Sequence, residues 1–298
     1  MSKAPQKNED TWTVLKILEW TTSFFSDKGS PSARLDAELL LSELLKLERI
    51  HLYTNFDRPL TQVELDAYRA LVKRRAQGEP IAYILGHREF WTLDLEVSPA
   101  VLIPRPDTET LVQAALDRIP KEKNWKVLDI GTGSGAIALS IASERPSLSM
   151  IATDISPEAL AMARKNAENH DLAEMVDFME SDLFKNLDEL KNSLDMIVTN
   201  PPYIGESERE DMGPGVAKYE PSSALFAGDD GLQILKTLIP ASLGYLKDGG
   251  FLLTEIGYKQ GEDVKKLFQE TGFQNIEILQ DFGQRDRVVL GQIERVRS

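Results

Sequence analysis

The first 80 residues carry apolar side chains at helical spacing, and no segment among them alternates as a strand would. The first such segment, TWTVLKILEWTTSFF, is predicted to be a helix with one face formed by Trp12, Leu15, Leu18 and Thr22. The second, SPSARLDAELLLSELLKL, begins with serine and proline at Ser30, an order that is typical of a helix start. These patterns predict a small bundle of three or four short helices.

A third helix has signals at both of its ends. Thr61 is followed three residues later by Glu64, which is the spacing of a capping box, and Gly78 follows the last apolar turn. We therefore expect a helix that begins after Thr61 and ends at Gly78.

The pattern changes after residue 80. The segment REFWTLDLEVS alternates apolar and polar residues, which predicts a strand or a β-hairpin. A helix is expected to begin near Asp107, where Asp107 and Glu109 would match the dipole of its first turn. We expect a helical domain at residues 1–80, a linker with a β-hairpin at 81–106 and a larger domain at 107–298.

From Trp125 onward, strand patterns and helix patterns alternate along the chain. This order is typical of a mostly parallel sheet with helices on both faces. The last two strand patterns, QNIEILQD and RDRVVLGQI, have no helix between them, so an antiparallel pair is expected at the edge of the sheet.

Composition limits the classes of protein that this chain fits. The chain has 298 residues and no cysteine, which excludes disulfides, thiolate metal ligands and cysteine nucleophiles. Its histidines, His51, His87 and His170, lie far apart without metal-ligand spacing, so no metal site is expected. The polar N-terminus and the lack of a long apolar run predict a cytoplasmic protein that does not enter a membrane.

The net charge of −14 is unevenly distributed along the chain. Residues 1–80 hold 12 basic and 12 acidic residues, so residues 81–298, with 22 basic and 36 acidic ones, carry the whole excess. Proteins that bind nucleic acid usually present a basic surface, because neutralising phosphates supplies most of their affinity. A direct nucleic-acid partner is therefore not expected.

A glycine-rich loop follows the first strand pattern of the larger domain. In LDIGTGSGAIAL, the residues Gly131, Thr132, Gly133, Ser134 and Gly135 separate a strand from a helix. Glycines permit a tight turn there and let a ligand approach the backbone. The spacing is neither that of a dinucleotide fingerprint nor that of a P-loop, so the loop alone is weak evidence.

Polar residues also end the next three strand patterns. Asp154 follows the second strand, Asp182 and Leu183 follow the third, and Asn200 follows the fourth. Ligands bind at this edge of an open α/β sheet, and a carboxylate at the end of the second strand can accept hydrogen bonds from ribose hydroxyls. The four strand ends together predict a site for a ligand that contains ribose.

The fourth strand pattern runs directly into Asn200-Pro201-Pro202-Tyr203. Two prolines end a strand because neither has an N–H to donate. Strand termination alone does not explain the amide and the aromatic ring on either side of the prolines. We interpret both as groups that take part in the chemistry of the site.

These motifs resemble those of class I S-adenosylmethionine-dependent methyltransferases, and Asn-Pro-Pro-Tyr resembles the segment found in those that methylate a planar amino or amide nitrogen. Further segments are similar to the HemK or PrmC family, which methylates glutamine in peptide-chain release factors. They are IPRPDTE from Ile103, DIGTGSGAIAL from Asp129, SDLF from Ser181, NPPYI from Asn200, YEPSSALFAGDDGL from Tyr219, EIGYKQG from Glu255 and DFGQRDRVV from Asp281. The chain departs from some members at Leu183, where they carry tryptophan.

The resemblance implies a Rossmann-like class I methyltransferase sheet, mostly parallel with an antiparallel edge strand, joined by a β-hairpin to a helical domain that binds the release factor. It implies S-adenosylmethionine as cofactor, with no metal. The loop at residues 131–135 would hold the methionine end, Asp154 the ribose and Asp182 the adenine, with Leu183 packed near it and Asn200 also beside the cofactor.

The resemblance also implies the reaction: methyl transfer to the side-chain amide nitrogen, N5, of the glutamine in the Gly-Gly-Gln motif of class 1 release factors, which modulates translation termination. Asn200, Pro201 and Tyr203 would be catalytic, and with Pro202 they would bind the substrate. A monomer is expected.

An amide nitrogen is a poor nucleophile because its lone pair is delocalised, so catalysis must rely on alignment and on the exclusion of water. The Asn200 side-chain oxygen and the Pro201 carbonyl can each accept one N–H of the substrate amide, and the Tyr203 ring can pack on its plane. No histidine or lysine base is expected, and the proton leaves to water. The sequence assigns no role to Arg105 or Glu255.

Two alternatives use the same residues differently. In an adenine N6-methyltransferase acting on DNA or RNA, the tetrapeptide would hold the amino group of a base. The acidic charge and the neutral helical region favour the release-factor hypothesis over it. A non-catalytic cofactor-binding protein would explain the glycine loop but not the pairing of Asn200 with Tyr203.

Overall fold

The computed structural model describes residues 11–294, apart from the side chains of residues 210, 211 and 214. The polar N-terminus, residues 1–10, lies outside the described part, as do residues 295–298. The chain divides between Gly86 and His87 into two compact units, whereas the sequence pattern predicts a boundary at residue 80. No helix within residues 11–294 has the length and the apolar character needed to cross a membrane.

Within its described residues, the first unit is helical. Its helices are α1 (Val14–Asp27), α2 (Ala33–Leu45), α3 (Arg49–Thr54), α4 (Gln62–Ala76) and α5 (Ile81–Leu85). The largest side chains in their common core include Phe25, Leu40 and Tyr68, and the Tyr68 hydroxyl donates a hydrogen bond to the Ala37 carbonyl at 2.9 Å. The predicted helical bundle is therefore present.

Of the residues on the face predicted for α1, only Leu18 is buried. Leu15 is 39% exposed, and Thr22 is only partly buried. Trp12 precedes the helix, which is capped by Thr13, so counting the helical period from Trp12 selected the wrong face. The buried face consists instead of Val14, Ile17, Leu18, Thr21 and Phe25.

The capping box predicted for α4 is confirmed. The Thr61 hydroxyl accepts a hydrogen bond from the Glu64 N–H at 3.2 Å, and the Glu64 carboxylate accepts one from the Thr61 N–H at 2.8 Å. The helix ends at Ala76, and Gly78 follows with a φ of 89°, a conformation that favours glycine.

Helix α2 begins later than the serine and proline at Ser30 predict. Its first residue is Ala33, and Ser32 occupies the N-cap position. The hydroxyls of Ser30 and Ser32 both donate to the Asp36 carboxylate, at 2.8 and 2.9 Å, and the Ser32 side chain makes no capping hydrogen bond.

The second unit begins with an antiparallel hairpin and continues as one seven-stranded sheet. The hairpin is β1 (His87–Phe90) and β2 (Leu93–Glu96). The sheet strands are β3 (Lys126–Ile130), β4 (Ser149–Asp154), β5 (Val176–Glu180), β6 (Leu194–Thr199), β7 (Leu246–Glu255), β8 (Gln274–Gln280) and β9 (Asp286–Gln292). Their order is β5-β4-β3-β6-β7-β9-β8.

The first five strands of this order are parallel, and β9 is antiparallel to both of its neighbours, so the predicted antiparallel edge is confirmed. Helices cover both faces: α6 (Glu109–Arg118), α7 (Ala136–Glu144), α8 (Pro157–Asn169), α10 (Gln233–Ser242) and α11 (Gly261–Thr271). A further short helix, α9 (Pro214–Tyr219), lies between β6 and α10 in the chain. A 3₁₀ turn, Pro106–Thr108, precedes α6 near the helix start predicted at Asp107.

Alternating side chains of the strands separate the core into two layers. In β6, Met196 and Val198 join the cluster that contains α7, while Ile197 joins the cluster that contains α10. Because both faces are buried, the carboxyl ends of the parallel strands are the edge at which backbone and polar side chains meet open space.

Candidate active site

A cavity of about 520 Å³ lies at the carboxyl ends of β3, β4 and β6. Small-molecule sites commonly have volumes of about 300–1,000 Å³. The wall of this cavity includes ten of the residues predicted from the sequence: Gly131, Thr132, Gly133, Ser134, Asp154, Asp182, Leu183, Asn200, Pro201 and Pro202. Two others, Gly135 and Tyr203, do not line it.

The glycine loop presents its backbone to this cavity. The N–H groups of Gly131 and Thr132 both donate to the Thr153 carbonyl, at 2.8 and 2.9 Å, which ties the loop to β4. A Cβ atom on Gly131 or Gly133 would meet no atom within 4 Å, and both residues have positive φ, 74° and 57°. The glycines thus leave open space beside the backbone, as a bound ligand requires.

Gly135 has a different role. It precedes α7 with a φ of 86°, and a Cβ there would lie 2.9 Å from Leu139 Cδ1 and 3.4 Å from Ala163 Cβ. This glycine therefore permits close packing beneath the loop.

Asp154, the last residue of β4, is held by two backbone groups. Its Oδ2 accepts from the Gly133 N–H and its Oδ1 from the Ser156 N–H, each at 2.9 Å. The carboxylate is only half-buried and lines the cavity. Each oxygen keeps a lone pair, so the group can also accept hydrogen bonds from ligand hydroxyls.

Asp129 supports the loop from within the core. It is fully buried; its Oδ2 accepts from the Thr132 hydroxyl at 2.7 Å, and its Oδ1 has no hydrogen-bond partner among the described residues. Burial raises the pKa of Asp129 to about 7, even though the Thr132 hydroxyl lowers it. The sequence places Asp129 within a motif and does not indicate this role.

The end of β5 is shaped by Ser181. Its hydroxyl donates to the carbonyls of Leu183 and Lys185, at 2.9 and 2.7 Å, and Leu183 has a φ of 52°. This turn places the exposed Asp182 and the partly buried Leu183 at the cavity wall, beside Asp154, whose carbonyl accepts from the Ser181 N–H.

The turn after β6 orients the Asn200 amide. Thr199 donates from its hydroxyl to the Ile130 carbonyl at 2.8 Å, joining β6 to β3. The Asn200 Nδ2 donates to Thr108 Oγ1 at 3.3 Å. Since its nitrogen faces Thr108, the amide can present its oxygen as an acceptor.

Tyr203 is anchored at both its ring and its backbone. Its hydroxyl donates to Glu255 Oε1 at 3.2 Å, and its carbonyl accepts from Gln260 Nε2 at 3.0 Å. Gly231 approaches so closely that a Cβ on it would lie 2.2 Å from the Tyr203 carbonyl oxygen. The segments around Gly231 and Gly257 therefore support this turn. In the sequence they stood out only as motifs of the family.

Ionisable groups surround the Tyr203 hydroxyl. Burial raises the pKa of Glu255 to about 7, although Thr108, Arg287 and Tyr203 each lower it. Burial, followed by the charge of Glu255, raises the pKa of Tyr203. The Arg287 guanidinium pairs with Asp281 at 3.1 Å and with Asp107 at 3.2 Å.

Arg105, whose role the sequence left open, lines the cavity and pairs with buried Glu220 at 2.6 Å. The second Glu220 oxygen accepts from the Ile103 N–H at 3.4 Å. This pair ties the segment before α6 to the segment after α9, and Pro221, Ser223 and Ala224 of the latter segment extend the cavity wall.

Solved structures with the same fold are methyltransferases. The chain is similar to the catalytic domain of hMettl16, solved with a 3′UTR hairpin, with a TM-score of 0.56 and 17% identity over 75% of this chain and 81% of that one. It is also similar to a methyltransferase from Pyrococcus furiosus, with a TM-score of 0.50 and 19% identity over 68% of this chain and 90% of that one. The predicted class I methyltransferase fold is therefore confirmed.

Sequence relatives define the class more narrowly. The model of the PrmC N-terminal domain matches residues 16–86, and that of the methyltransferase small domain matches residues 107–213. A release factor glutamine methyltransferase of Geobacter sulfurreducens is 45% identical, over 95% of this chain and 98% of its own. A protein of the same name from Rhodopirellula baltica is 42% identical, over 96% of this chain and 98% of its own. The chain belongs to the family of release factor glutamine methyltransferases.

Proposed function

We propose that this protein transfers the methyl group of S-adenosylmethionine to the side-chain amide nitrogen, N5, of the glutamine in the Gly-Gly-Gln motif of class 1 release factors, and so modulates translation termination. The observation that carries the proposal is the shared cavity, whose wall contains both the glycine loop with Asp154 and the Asn200-Pro201-Pro202 turn. One part of the wall suits a nucleoside cofactor and the other an amide.

The residues of the first part fit S-adenosylmethionine, which supplies a sulfonium methyl group when bound. The open backbone at Gly131 and Gly133 leaves room for the methionine end, with Thr132, Ser134 and Gly135 completing the loop. Asp154 accepts from the ribose hydroxyls, which an acceptor-only carboxylate does well. Asp182 holds the adenine, Leu183 packs against it, and Asn200 borders both ligands. No metal takes part.

The residues of the second part hold the substrate amide. Asn200 Oδ1 accepts one N–H of the NH₂ group, and the Pro201 carbonyl accepts the other, while Pro202 stiffens the turn. The N–C bond forms as the C–S bond breaks, and the nitrogen then loses a proton to water. These acceptors act most strongly as positive charge develops on the nitrogen.

Tyr203 completes the site through its ring. Its hydroxyl and its carbonyl are both held, so the ring has little freedom to rotate. We propose that the Tyr203 ring packs on the face of the planar substrate amide. This role requires that the ring border the substrate once the release factor is bound.

The helical unit is assigned to binding the release factor, and the protein acts as a cytoplasmic monomer. The adenine alternative is not favoured, because the relatives that match nearly the whole chain are named for release-factor glutamine. The acidic catalytic unit also lacks the charge expected of a nucleic-acid reader.

Asn200→Ala tests the proposal. The variant should lose roughly 3 kcal/mol of transition-state stabilisation, a rate loss of about two orders of magnitude, because one oriented acceptor is removed. Cofactor affinity, measured by calorimetry, should change far less. Turnover near that of the wild type on intact release factor would contradict the assignment of Asn200.

A further inference from the structure

Asn166 is a buried amide on α8 for which the proposed reaction has no direct use. It has no exposed surface, and it shares the buried side of its helix with apolar side chains, Ala159, Leu160, Ala163 and Ala167. A polar group among apolar neighbours is costly unless its hydrogen bonds are satisfied. An asparagine at this position therefore needs partners within the fold.

The Asn166 side chain is bound by backbone groups of two separate segments. Its Oδ1 accepts from the Glu96 N–H at 2.7 Å, and its Nδ2 donates to the Glu96 carbonyl at 3.0 Å and to the Ser134 carbonyl at 2.8 Å. Both hydrogens of the NH₂ group are thus in use. No other side chain of this size makes all three bonds, because aspartate lacks the N–H donors and leucine has no polar atom.

The bond to Ser134 acts on the peptide group that closes the glycine loop. The Ser134 carbonyl and the Gly135 N–H belong to one planar trans peptide, so they point in opposite directions. Asn166 binds the carbonyl, and the Gly135 N–H donates to the Thr132 carbonyl at 2.9 Å. Fixing the Ser134 carbonyl therefore fixes the turn that presents Thr132, Gly133 and Ser134 to the cavity.

The two bonds to Glu96 act on a second part of the cavity wall. Glu96 is the last residue of β2, and its carboxylate is also bound to α8, by Lys165 at 2.6 Å and by Asn169 at 3.0 Å. The segment at 100–102, which follows the hairpin, lines the cavity. Asn166 therefore joins two segments that both lead into the wall of the same cavity.

The glycine loop is held on its other side by Asp154. The Asp154 carboxylate accepts from the Gly133 N–H at 2.9 Å, a contact that does not involve the Ser134 carbonyl. Asp154 and Asn166 thus fix different peptide groups of the same loop. Loss of the Asn166 amide would leave the last of these peptide groups without its orienting bond.

We propose that Asn166 is a positioning residue for the cofactor, which presets the glycine loop for S-adenosylmethionine through the Ser134 carbonyl and ties that loop to the hairpin through Glu96. This inference rests on the proposed function, because it explains how the part of the cavity assigned to S-adenosylmethionine keeps its shape. Asn166 does not itself line the cavity.

Asn166→Asp is the first test, because the substitution keeps the shape of the side chain and the acceptor for the Glu96 N–H. It removes both donors and sets a carboxylate oxygen against the carbonyls of Glu96 and Ser134. The full-length variant should bind S-adenosylmethionine about tenfold more weakly in calorimetry. The added negative charge would by itself favour a cationic cofactor, so the weaker affinity cannot come from charge.

Saturation kinetics separate positioning of the cofactor from a merely structural role. In Asn166→Asp, KM for S-adenosylmethionine should rise about tenfold, whereas kcat with cofactor saturating should stay within about twofold of the wild type. Asn166→Ala, which removes the amide without adding charge, should show the same split. A mere loss of folded protein would instead lower the apparent kcat and leave KM unchanged.

Two control variants leave the contact with Ser134 in place. Asn169→Ala removes an exposed hydrogen bond to the Glu96 carboxylate, and Val289→Ala removes volume from the core at β9. Asn169→Ala should bind S-adenosylmethionine within about twofold of the wild type. Val289→Ala should lower the free energy of unfolding, as Asn166→Ala does, but should keep its affinity for S-adenosylmethionine.

Amide hydrogen exchange tests the wild type without any substitution. The Gly135 N–H should exchange slowly before S-adenosylmethionine is added, because the turn is already closed, and the cofactor should change its rate by less than about tenfold. Rapid exchange of this amide in the cofactor-free wild type would mean that the loop is not preset, whether or not either Asn166 variant folds.

The outcomes distinguish this inference from the proposed function. Wild-type affinity for S-adenosylmethionine in both Asn166→Asp and Asn166→Ala would overturn the positioning role, since neither variant can donate to Ser134. An equal loss of affinity in Val289→Ala would overturn it as well, because the effect would then follow from stability alone. A wild type that binds S-adenosylmethionine but does not methylate release factor overturns the proposed function instead.

Discussion

At the scale of single residues, two carboxyl groups have no exposed surface among the side chains that the structure describes, Asp129 at the glycine loop and Glu255 at Tyr203. Burial raises the pKa of each to about 7. Both therefore favour the protonated form more strongly in the folded protein than in the unfolded chain. The burial of these two carboxyl groups therefore lowers the stability of the fold at neutral pH.

The sign of this effect can be measured through Glu255. Because the folded pKa is about 7 and the ordinary value is 4.5, the folded state binds the proton more tightly between these values. The stabilisation of the folded state by this tighter proton binding is fully present below the ordinary pKa and is lost as pH rises through about 7. From roughly pH 5.5, above the sequence pI of 4.8, to about pH 8, it should amount to about 2 kcal/mol.

Glu255→Gln should lack this term. The free energy of unfolding, measured with urea at both pH values, should therefore fall less in the variant than in the wild type. Glu262→Gln, which removes an exposed carboxylate on α11, is the control for the change in net charge. An identical pH dependence in Glu255→Gln and the wild type would mean that the buried carboxyl does not titrate in this window.

At the scale of elements, the glycine loop combines two functions that separate substitutions can resolve. An alanine at Gly133, with a φ of 57°, adds a Cβ into the open cavity. It should cost about 1 kcal/mol of stability from left-handed backbone strain and should lower affinity for S-adenosylmethionine at least about tenfold.

Gly135→Ala is the matched variant on the other side of the loop. Its Cβ would meet Leu139 at 2.9 Å as well as adopting a positive φ, so it should destabilise the fold by about 2–3 kcal/mol. Thermal unfolding and calorimetry of both variants test the difference. If the two variants had equal stabilities and equal affinities for S-adenosylmethionine, Gly133 and Gly135 would not have the separate roles described here.

The elements also show what the sequence can predict. Strands β3, β4 and β6 were predictable because their apolar runs are short and end in glycine, aspartate or asparagine. The ends of these strands meet at one edge in any parallel sheet, so Asp154 and Asn200 were predicted to share a site, and they line the same cavity.

Other contacts could not be predicted, because they join segments that local patterns do not relate. Arg105 and Glu220 are 115 residues apart in the chain, and nothing in either segment specifies the pair. The link between Asn200 and Thr108 spans 92 residues and depends on how the turn before α6 meets β6. The ring of Tyr203 was expected beside the substrate, whereas the structure shows its hydroxyl donating to Glu255 and its carbonyl accepting from Gln260.

At the scale of the whole molecule, charge divides the chain as the fold does. The helical region is neutral over residues 1–80, and residues 81–298 carry the net charge of −14. Such a catalytic unit repels polynucleotides at a distance and attracts basic protein surfaces. The acidic charge therefore supports a protein substrate.

The most direct test of the central claim is methyl transfer from labelled S-adenosylmethionine by the full-length protein. Three substrates are offered separately: intact release factor, release factor with the Gly-Gly-Gln glutamine replaced, and DNA. Label should enter only the intact factor. Label in DNA, with none in the factor, would contradict the account and would mean that the Asn200-Pro201-Pro202-Tyr203 turn holds an adenine.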